Sequence, residues 1–373
     1  MAIDWQPFCD VVSSHERFVL TSHVRPDADA IGSEIALAEL LESQGKTVRI
    51  INPSPISESL RFLDPDSRVQ SLGAECDAEQ ARDTDVHVVL DTSAWAQLVD
   101  VGDVLRNTAA LKVVIDHHQS SDEVGDVEFK DVSAEATGRL VFDLAESADW
   151  QLSRIAANAL FCAIATDTGW FRFPSTNGGT LRAAGQLIDL GAQPHLSYRE
   201  LFERQTQARI RLTGRMLERI ELACGGRLAW LTARRDDFSR TGAVPADTED
   251  VVNVCFRIVG VECAFIAHEQ QDGQVKVSFR SRGHVDVAAV AEQFGGGGHR
   301  AASGALLPGP FEAGLVRLVQ AMTSGLQSSA APRGKWVSAC RPARGGVRGG
   351  GGGRSSVGRG GVSGAGGAAE VWG

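Results

Sequence analysis

Short β-branched runs alternate with helical patterns through the first half of the chain. Residues 17–21, 47–51, 86–90 and 111–115 read as strands. Between the first two, Ile31, Ile35, Ala38 and Leu41 recur at helical spacing, and Gly45 closes the pattern as a C-cap. Residues 134–148, 153–165 and 177–190 continue with helical periodicity. This alternation predicts an α/β fold whose N-terminal domain is a parallel sheet with helices on both faces.

Residues 198–215 are polar and rich in Arg and Gln, with helical character but few apolar positions, which predicts a helical linker between two bodies. The second half reads as strand 228–232, helix 249–258, strands 263–268 and 274–281, helix 285–294, strand 303–307 and helix 311–326. Gln271-Asp272-Gly273-Gln274 supplies a hairpin turn between two of those strands. The expected organisation is an N-terminal domain over 1–197, a linker over 198–215, a smaller C-terminal α/β domain with a mixed sheet over 216–328, and an unstructured tail over 329–373.

Composition narrows the function classes. The 373 residues are 43% hydrophobic, enough for two cores. A formal net charge of -10 argues against gripping long nucleic acid over the whole surface, since that affinity comes from Lys and Arg neutralising phosphates. The tail carries seven Arg or Lys against one Glu, so the body is more acidic still. Arg-Gly-Gly steps at Arg344, Arg348 and Arg359 are of a kind that can cling to RNA. Seven scattered cysteines without a CxxC pair predict reduced thiols, with neither structural disulfides nor a zinc knuckle. The start lacks a basic segment before an apolar stretch, and no apolar run approaches the ~18 residues needed to span a bilayer, so the expected location is cytoplasmic.

The chemistry concentrates at strand ends. Ser22-His23-Val24-Arg25-Pro26-Asp27-Ala28-Asp29 lies where a strand gives way to a helix, the edge of an open parallel sheet where ligands bind. Asp91 ends the run 86–90, and Asp116-His117-His118 ends the run 111–115. Asp167 lies where an apolar helix gives way to Gly169. Four carboxylates brought close together would repel by roughly 4 kcal/mol per close pair at an effective dielectric near 20, so something positive must sit among them. Carboxylates mixed with imidazole and lacking thiolate favour manganese, magnesium or iron over structural zinc. Two such ions about 3.5–4 Å apart would make a phosphoryl-transfer site.

In the second half, Phe279-Arg280-Ser281-Arg282 and Gly295-Gly296-Gly297-Gly298-His299-Arg300 combine exposed backbone N–H groups with cationic donors, a composition suited to cradling phosphate. Asp286 reads as the cap of the helix that follows it.

These motifs resemble the DHH phosphoesterases, a family named for the triplet present here as Asp116-His117-His118. The likeness spans about residues 15–326. It implies one divalent ion on His23, Asp27 and Asp91 and another on Asp29, Asp91, His117 and Asp167, with Asp91 shared. It also implies a catalytic role for His118 and a supporting one for Asp116. The second half resembles the DHH-associated C-terminal domain, which implies substrate binding by Arg280, Ser281, Arg282, Gly296, Gly297, Gly298 and His299. The family's three-glycine loop stands here with four glycines. Two divalent ions are implied, manganese foremost, with Mg2+, Co2+ or Fe2+ as alternatives.

Within that family the two-domain arrangement resembles the bifunctional oligoribonucleases and 3'-phosphoadenosine-5'-phosphate phosphatases. The implied substrates are RNA fragments of a few nucleotides, cut to 5'-mononucleotides, with no membrane partner and with a homodimer allowed. Inorganic pyrophosphatase ranks lower because its basic C-terminal signature is replaced here by glycines and His299. A single-strand DNA exonuclease is disfavoured by the acidic body, and a cyclic-dinucleotide phosphodiesterase stays open. The alternative of another class is a non-catalytic RNA-binding protein, whose mark would be degenerate ligand positions.

Overall fold

The computed structural model describes residues 3–119 and 121–328. They form two compact units that part between Ile210 and Arg211. The first unit runs α1 (Gln6–Ser14), β1 (Arg17–Thr21), α2 (Ala28–Ser43), β2 (Thr47–Asn52), β3 (Val69–Ser71), α3 (Ala78–Arg82), β4 (Val86–Leu90), α4 (Trp95–Arg106), β5 (Leu111–Asp116), β6 (Val127–Lys130), α5 (Thr137–Ser147), α6 (Arg154–Asp167), α7 (Gly178–Asp189) and α8 (Pro194–Phe202). Helix α9 (Gln207–Glu218) spans the boundary. Its sheet has the order β3-β2-β1-β4-β5-β6, and every pairing is parallel.

The alternation of strands and helices explains this topology, because each parallel neighbour needs a crossover connection. β4 is buried along its whole length, as expected of a central strand covered on both faces. One face packs Leu20, Val88 and Ile115 against α2, α5 and α6; the other packs Val89, Val114 and Val19 against Leu98, Val101 and Ala81 of α3 and α4. The register aligns Thr21 with Val89 and Leu90 with Ile115. Ser22 and His23, Asp91, and the triplet 116–118 therefore emerge along one carboxyl edge.

The second unit holds β7 (Glu221–Ala223), β8 (Leu228–Ala233), α10 (Arg235–Thr241), β9 (Cys263–Glu269), β10 (Val275–Ser281), α11 (Val287–Glu292), β11 (Gly297–His299), β12 (Ala302–Leu307) and α12 (Phe311–Ser328). Its sheet has the order β11-β12-β10-β9-β8-β7 and is mixed, with β8 and β9 parallel and the other pairs antiparallel. Phe265, Phe279 and Val277 pack with Leu318 and Met322 of α12 to make its core.

Three local expectations change. The stretch 198–215 is not one helix: α8 and α9 are separate, and Thr206 accepts the Arg209 N–H at the start of α9. Residues 249–258 do not form an α-helix. Asp250 takes a left-handed conformation with φ 62°, and Val251–Arg257 winds as a 3-10 turn that buries Val251, Val252 and Cys255. The glycine loop contains β11, a short strand not expected from its composition. The Arg-Gly-Gly steps at Arg344, Arg348 and Arg359 lie outside the described residues. Among the described residues no helix is long and apolar enough to cross a membrane.

Candidate metal centre

Asp27 and Asp29 occupy the turn between β1 and α2, but their carboxylates do different work. Asp27 is the N-cap of α2, its Oδ1 accepting the N–H of Asp29 at 2.9 Å and of Ala30 at 3.1 Å. Asp29, only 2% exposed, points toward α5. Its Oδ2 accepts the Thr137 N–H and its Oδ1 the Gly138 N–H, each at 2.8 Å. The two donors belong to the first turn of α5, where N–H groups lack helical partners and the helix dipole favours an anion.

Asp91 follows β4 in a left-handed conformation, φ 62°, a placement that costs roughly 1–2 kcal/mol for a residue with a side chain. The turn keeps the Asp91 N–H on Ile115 O at 3.1 Å, while Oδ1 accepts the Thr137 hydroxyl at 2.9 Å. Such strain at the edge of a sheet is commonly tied to function.

The histidines complete the cluster. His117 turns Nδ1 to Ala134 O at 3.2 Å, which leaves Nε2 3.5 Å from Asp167 Oδ2, 3.6 Å from Asp91 Oδ1 and 3.8 Å from Asp29 Oδ2. His23 Nε2 lies 3.5 Å from Asp91 Oδ2. These spacings are long for hydrogen bonds but suit donor atoms sharing an ion with bonds of ~2.1 Å. Among the described residues three groups have donor atoms within 4.8 Å of one another: His23, Asp27 and Asp91; Asp29, His117 and Asp167; and Asp91, His117 and His118.

Electrostatics states the same need for a cation. Burial, then the charge of Asp27, pushes the Asp29 carboxyl up from its ordinary range. Burial followed by the charges of Asp29 and Asp27 pushes Asp91 up further, and the same causes bring Asp167 up to about 7. Among the described residues, the cations within ion-pair reach of these three carboxylates are all imidazoles. The donor set, oxygen and imidazole nitrogen without sulfur, fits a divalent ion of the manganese or magnesium type.

Asp116 is in none of those three groups. Fully buried, its Oδ1 accepts the N–H of His118 at 3.0 Å and His118 Nδ1 at 2.9 Å. Its Oδ2 accepts the Ser93 hydroxyl at 2.6 Å and lies 3.1 Å from Lys130 Nζ, which in turn donates to Ser93 Oγ at 2.6 Å. Burial alone would raise this carboxyl, but the bonds from His118 and Ser93 outweigh it and hold Asp116 well below the usual carboxylate range. The bond to Asp116 in turn raises His118. With Nδ1 engaged, Nε2 of the half-exposed His118 is the atom open to a ligand.

A second support lies behind His23. Asn52, at the end of β2, accepts the Ser22 N–H at 2.8 Å and donates from Nδ2 to Glu34 Oε2 at 2.9 Å. Glu34 is wholly buried, and burial raises it to about 8, so it is held as the neutral acid at neutral pH. Thr137, Gly138, Ser93, Lys130, Asn52 and Glu34 escaped the sequence reading. The only local hint was the Ala-Thr-Gly step at a helix start; nothing near Lys130 or Glu34 marks their partners.

In the second unit His299 and Arg280 both register opposite Ala302, one on each side of β12. That puts their backbones about 10 Å apart across one strand. Arg280 donates to its neighbour's carbonyl, Phe279 O, at 3.0 Å and lies 4.0 Å from Asp250. Ser281 Oγ accepts the N–H groups of Gly283 and Val285, while Arg282 turns to Phe256, donating to its carbonyl at 2.7 Å with the guanidinium 5.3 Å from the ring. Exposed His299 and partly buried Arg280 thus flank one strand, while Ser281 and Arg282 are engaged locally. Gly298, at φ 141°, has room for no side chain: a Cβ would come within 2.7 Å of Ala302 O. Close approach to β12 thus explains this glycine. Asp286 caps α11, accepting from Ala288 and Ala289.

Residues 17–164, which include the strand ends that carry His23, Asp91 and His117, match the DHH family, N-terminal domain, and residues 240–327 match the DHHA1 domain. The chain is 30% identical over 298 residues to the bifunctional oligoribonuclease and PAP phosphatase NrnA of Bacillus subtilis, covering 79% of this chain and 90% of that protein. A protein of the same name from Thermus thermophilus is 30% identical over 291 residues, covering 78% and 84%. The crystal structure of an exopolyphosphatase-related protein from Bacteroides fragilis superposes with a TM-score of 0.79 at 25% identity, covering 87% of this chain and 96% of that one. Likeness over nearly the whole length of such relatives, together with domain matches on both halves, has one reading: the chain belongs to the DHH phosphoesterases.

Proposed function

We propose that this chain hydrolyses short oligoribonucleotides to 5'-mononucleotides and releases the 3'-phosphate of 3'-phosphoadenosine-5'-phosphate, using two divalent metal ions, manganese foremost. The observation that carries this reading is the gathering of Asp29, Asp91, Asp167, His23 and His117 in one cluster, whose buried carboxylates have, among the described residues, no cationic partner but imidazole. The names of the Bacillus and Thermus relatives supply the substrate class.

His23, Asp27 and Asp91 would hold one ion, and Asp29, Asp91, His117 and Asp167 the other. When bound, such ions supply positive charge for the phosphate oxygens and acidify the attacking water. The protein's own part is positioning: the first turn of α5 fixes Asp29, the Thr137 hydroxyl fixes Asp91, and Ala134 O fixes the His117 ring. His118, oriented by Asp116, offers Nε2 to a phosphate oxygen or to the departing oxygen. In the second unit, Arg280, His299 and the loop of Gly296, Gly297 and Gly298 are proposed to hold a substrate phosphate, and Ser281 and Arg282 to shape that strand end. A homodimer is part of the proposal, and sedimentation equilibrium would show twice the chain mass.

The test is a panel of dinucleotide, longer RNA, 3'-phosphoadenosine-5'-phosphate, cyclic dinucleotide and pyrophosphate under one manganese condition. The reading expects the highest kcat/KM on the dinucleotide and on 3'-phosphoadenosine-5'-phosphate. A preference for cyclic dinucleotide or pyrophosphate would replace it. A chain that binds RNA but cleaves nothing with any transition metal would be a binding protein instead.

A further inference from the structure

The chain reverses direction immediately after Asp167 in an unusual way. Gly169, Trp170 and Phe171 take left-handed conformations in succession, with φ of 56°, 59° and 63°. Two of the three are bulky aromatics, for which this region is unfavourable, so the surrounding contacts must hold them there. Trp170 and Phe171 are anchored inward, their ring centroids 6.0 Å and 5.9 Å from that of Phe161, and Trp170 also meets Tyr198 at 5.2 Å and Phe202 at 5.5 Å.

What the turn delivers is Phe173. The N–H groups of Arg172 and Phe173 both donate to Thr168 O at 3.0 Å, and Arg172 Nε donates to Gly169 O at 2.6 Å. These bonds fold the segment back on the end of α6, where the Phe173 ring lies on Gly169: a Cβ there would be 2.5 Å from two ring carbons. The ring is therefore braced on one side two residues from Asp167. It is also 50% exposed, and among the described residues it meets no other aromatic ring.

A large apolar ring left half open to water, seated on the turn that follows Asp167, contributes little to the core. Two costly aromatic residues spent on holding it there call for a ligand with a flat face. We propose that Phe173 is a stacking platform for a nucleobase adjoining the scissile phosphate, and so a specificity-determining residue that favours nucleotides over base-free phosphate esters. The inference rests on the function proposed above and adds the part of the substrate that the carboxylate cluster cannot recognise. An aromatic face accepts every base, so the expected selectivity is for the presence of a base and not for its identity.

The experiment compares a diribonucleotide with two analogues in which one or the other base is replaced by hydrogen. Phe173→Ala should lower kcat/KM on the full dinucleotide roughly 5- to 100-fold, the range expected for loss of one base–aromatic stack. On the analogue lacking the stacked base, Phe173→Ala and the unaltered enzyme should be equal, and Phe173→Trp should keep most of the activity on the full substrate. An unchanged manganese-induced rise in Tm for Phe173→Ala shows that the carboxylate cluster is intact. Equal losses on all three substrates, or no loss on any, would overturn the proposal. Quenching of 2-aminopurine riboside monophosphate fluorescence reads the same contact without hydrolysis: it should occur with the unaltered chain and be lost with Phe173→Ala. If the chain cleaved none of the three substrates yet quenched the fluorophore through Phe173, the hydrolytic function would fail while the stacking site stood.

Discussion

Thr137 and Asp91, 46 residues apart in the chain, are joined by a hydrogen bond of 2.9 Å from the threonine hydroxyl to Oδ1. The backbone N–H of the same threonine donates to Asp29 at 2.8 Å. One residue at the start of α5 therefore orients both buried carboxylates. Thr137→Val keeps the backbone bond and removes the hydroxyl. It should weaken manganese binding about 10- to 100-fold, the usual effect of losing a group that orients a ligand, and Thr137→Ser should restore it. Calorimetric titration with manganese checks both.

Asp91→Asn and His299→Ala should separate the two halves of the proposed chemistry. Metal that binds only the folded chain stabilises it by about 2.7 kcal/mol at a hundred times Kd, so chelation of the unaltered protein should lower Tm. In Asp91→Asn that metal-dependent shift should disappear, with activity down by at least about 100-fold. In His299→Ala the shift should persist while KM rises, because the exposed ring belongs to the second unit and is in none of the three clustered groups. Melting curves with and without chelator, set beside steady-state kinetics, distinguish the two.

Glu34 makes the metal-free protein less stable as pH rises. Its folded carboxyl titrates at about 8 against 4.5 ordinarily, because burial penalises the charge. Between those values the folded chain keeps a proton that the unfolded chain gives up, so the contribution is present below 4.5 and is lost as pH rises toward 8. The slope is up to about 1.4 kcal/mol per pH unit for one proton. Glu34→Gln retains an acceptor for the Asn52 amide and should flatten that slope, becoming the more stable form above neutrality. Urea unfolding in chelator at several pH values from 5 to 8 measures it.

His87 acts at the acid end. It is the second residue of β4, 1% exposed, with neither ring nitrogen hydrogen-bonded among the described residues, and burial lowers it to about 4. Below its ordinary 6.5 the unfolded chain takes a proton that the folded chain refuses, so stability is lost as pH falls from 6.5 toward 4. His87→Leu should remove that loss. It should also stabilise the chain at pH 7 by roughly 1 kcal/mol, since it replaces an unpaired buried polar group with an apolar one of similar size. Denaturant midpoints at pH 5 and 7 show both effects.

The clustered residues were legible one at a time. His23, Asp91 and His117 each follow an apolar run that ends at a carboxyl edge, and Asp167 ends an apolar helix, so a one-dimensional pattern carries their placement. The residues that orient them were not. Thr137, Lys130 and Asn52 stand in segments whose patterns signal only a helix start or the end of a strand, and their partners lie 46, 14 and 30 residues away. The misread segment 249–258 shows the same boundary: its apolar spacing fits a helix, yet its β-branched pair and the left-handed Asp250 favour a 3-10 turn.

By itself, the order of residues determined the kind of sheet, the edge at which the acids and imidazoles emerge, and the sign of the charge they require, because periodicity and strand ends are local properties. Only the tertiary structure decided that Asp27 caps a helix while Asp29 meets the first turn of α5, that Asp116 turns inward to Lys130 and Ser93, and that Phe173 lies on Gly169 half open to water. Those outcomes depend on which distant N–H, hydroxyl or ammonium arrives at a given carboxylate once the strands have paired. Packing settles that competition, and neither residue type nor spacing along the chain encodes it.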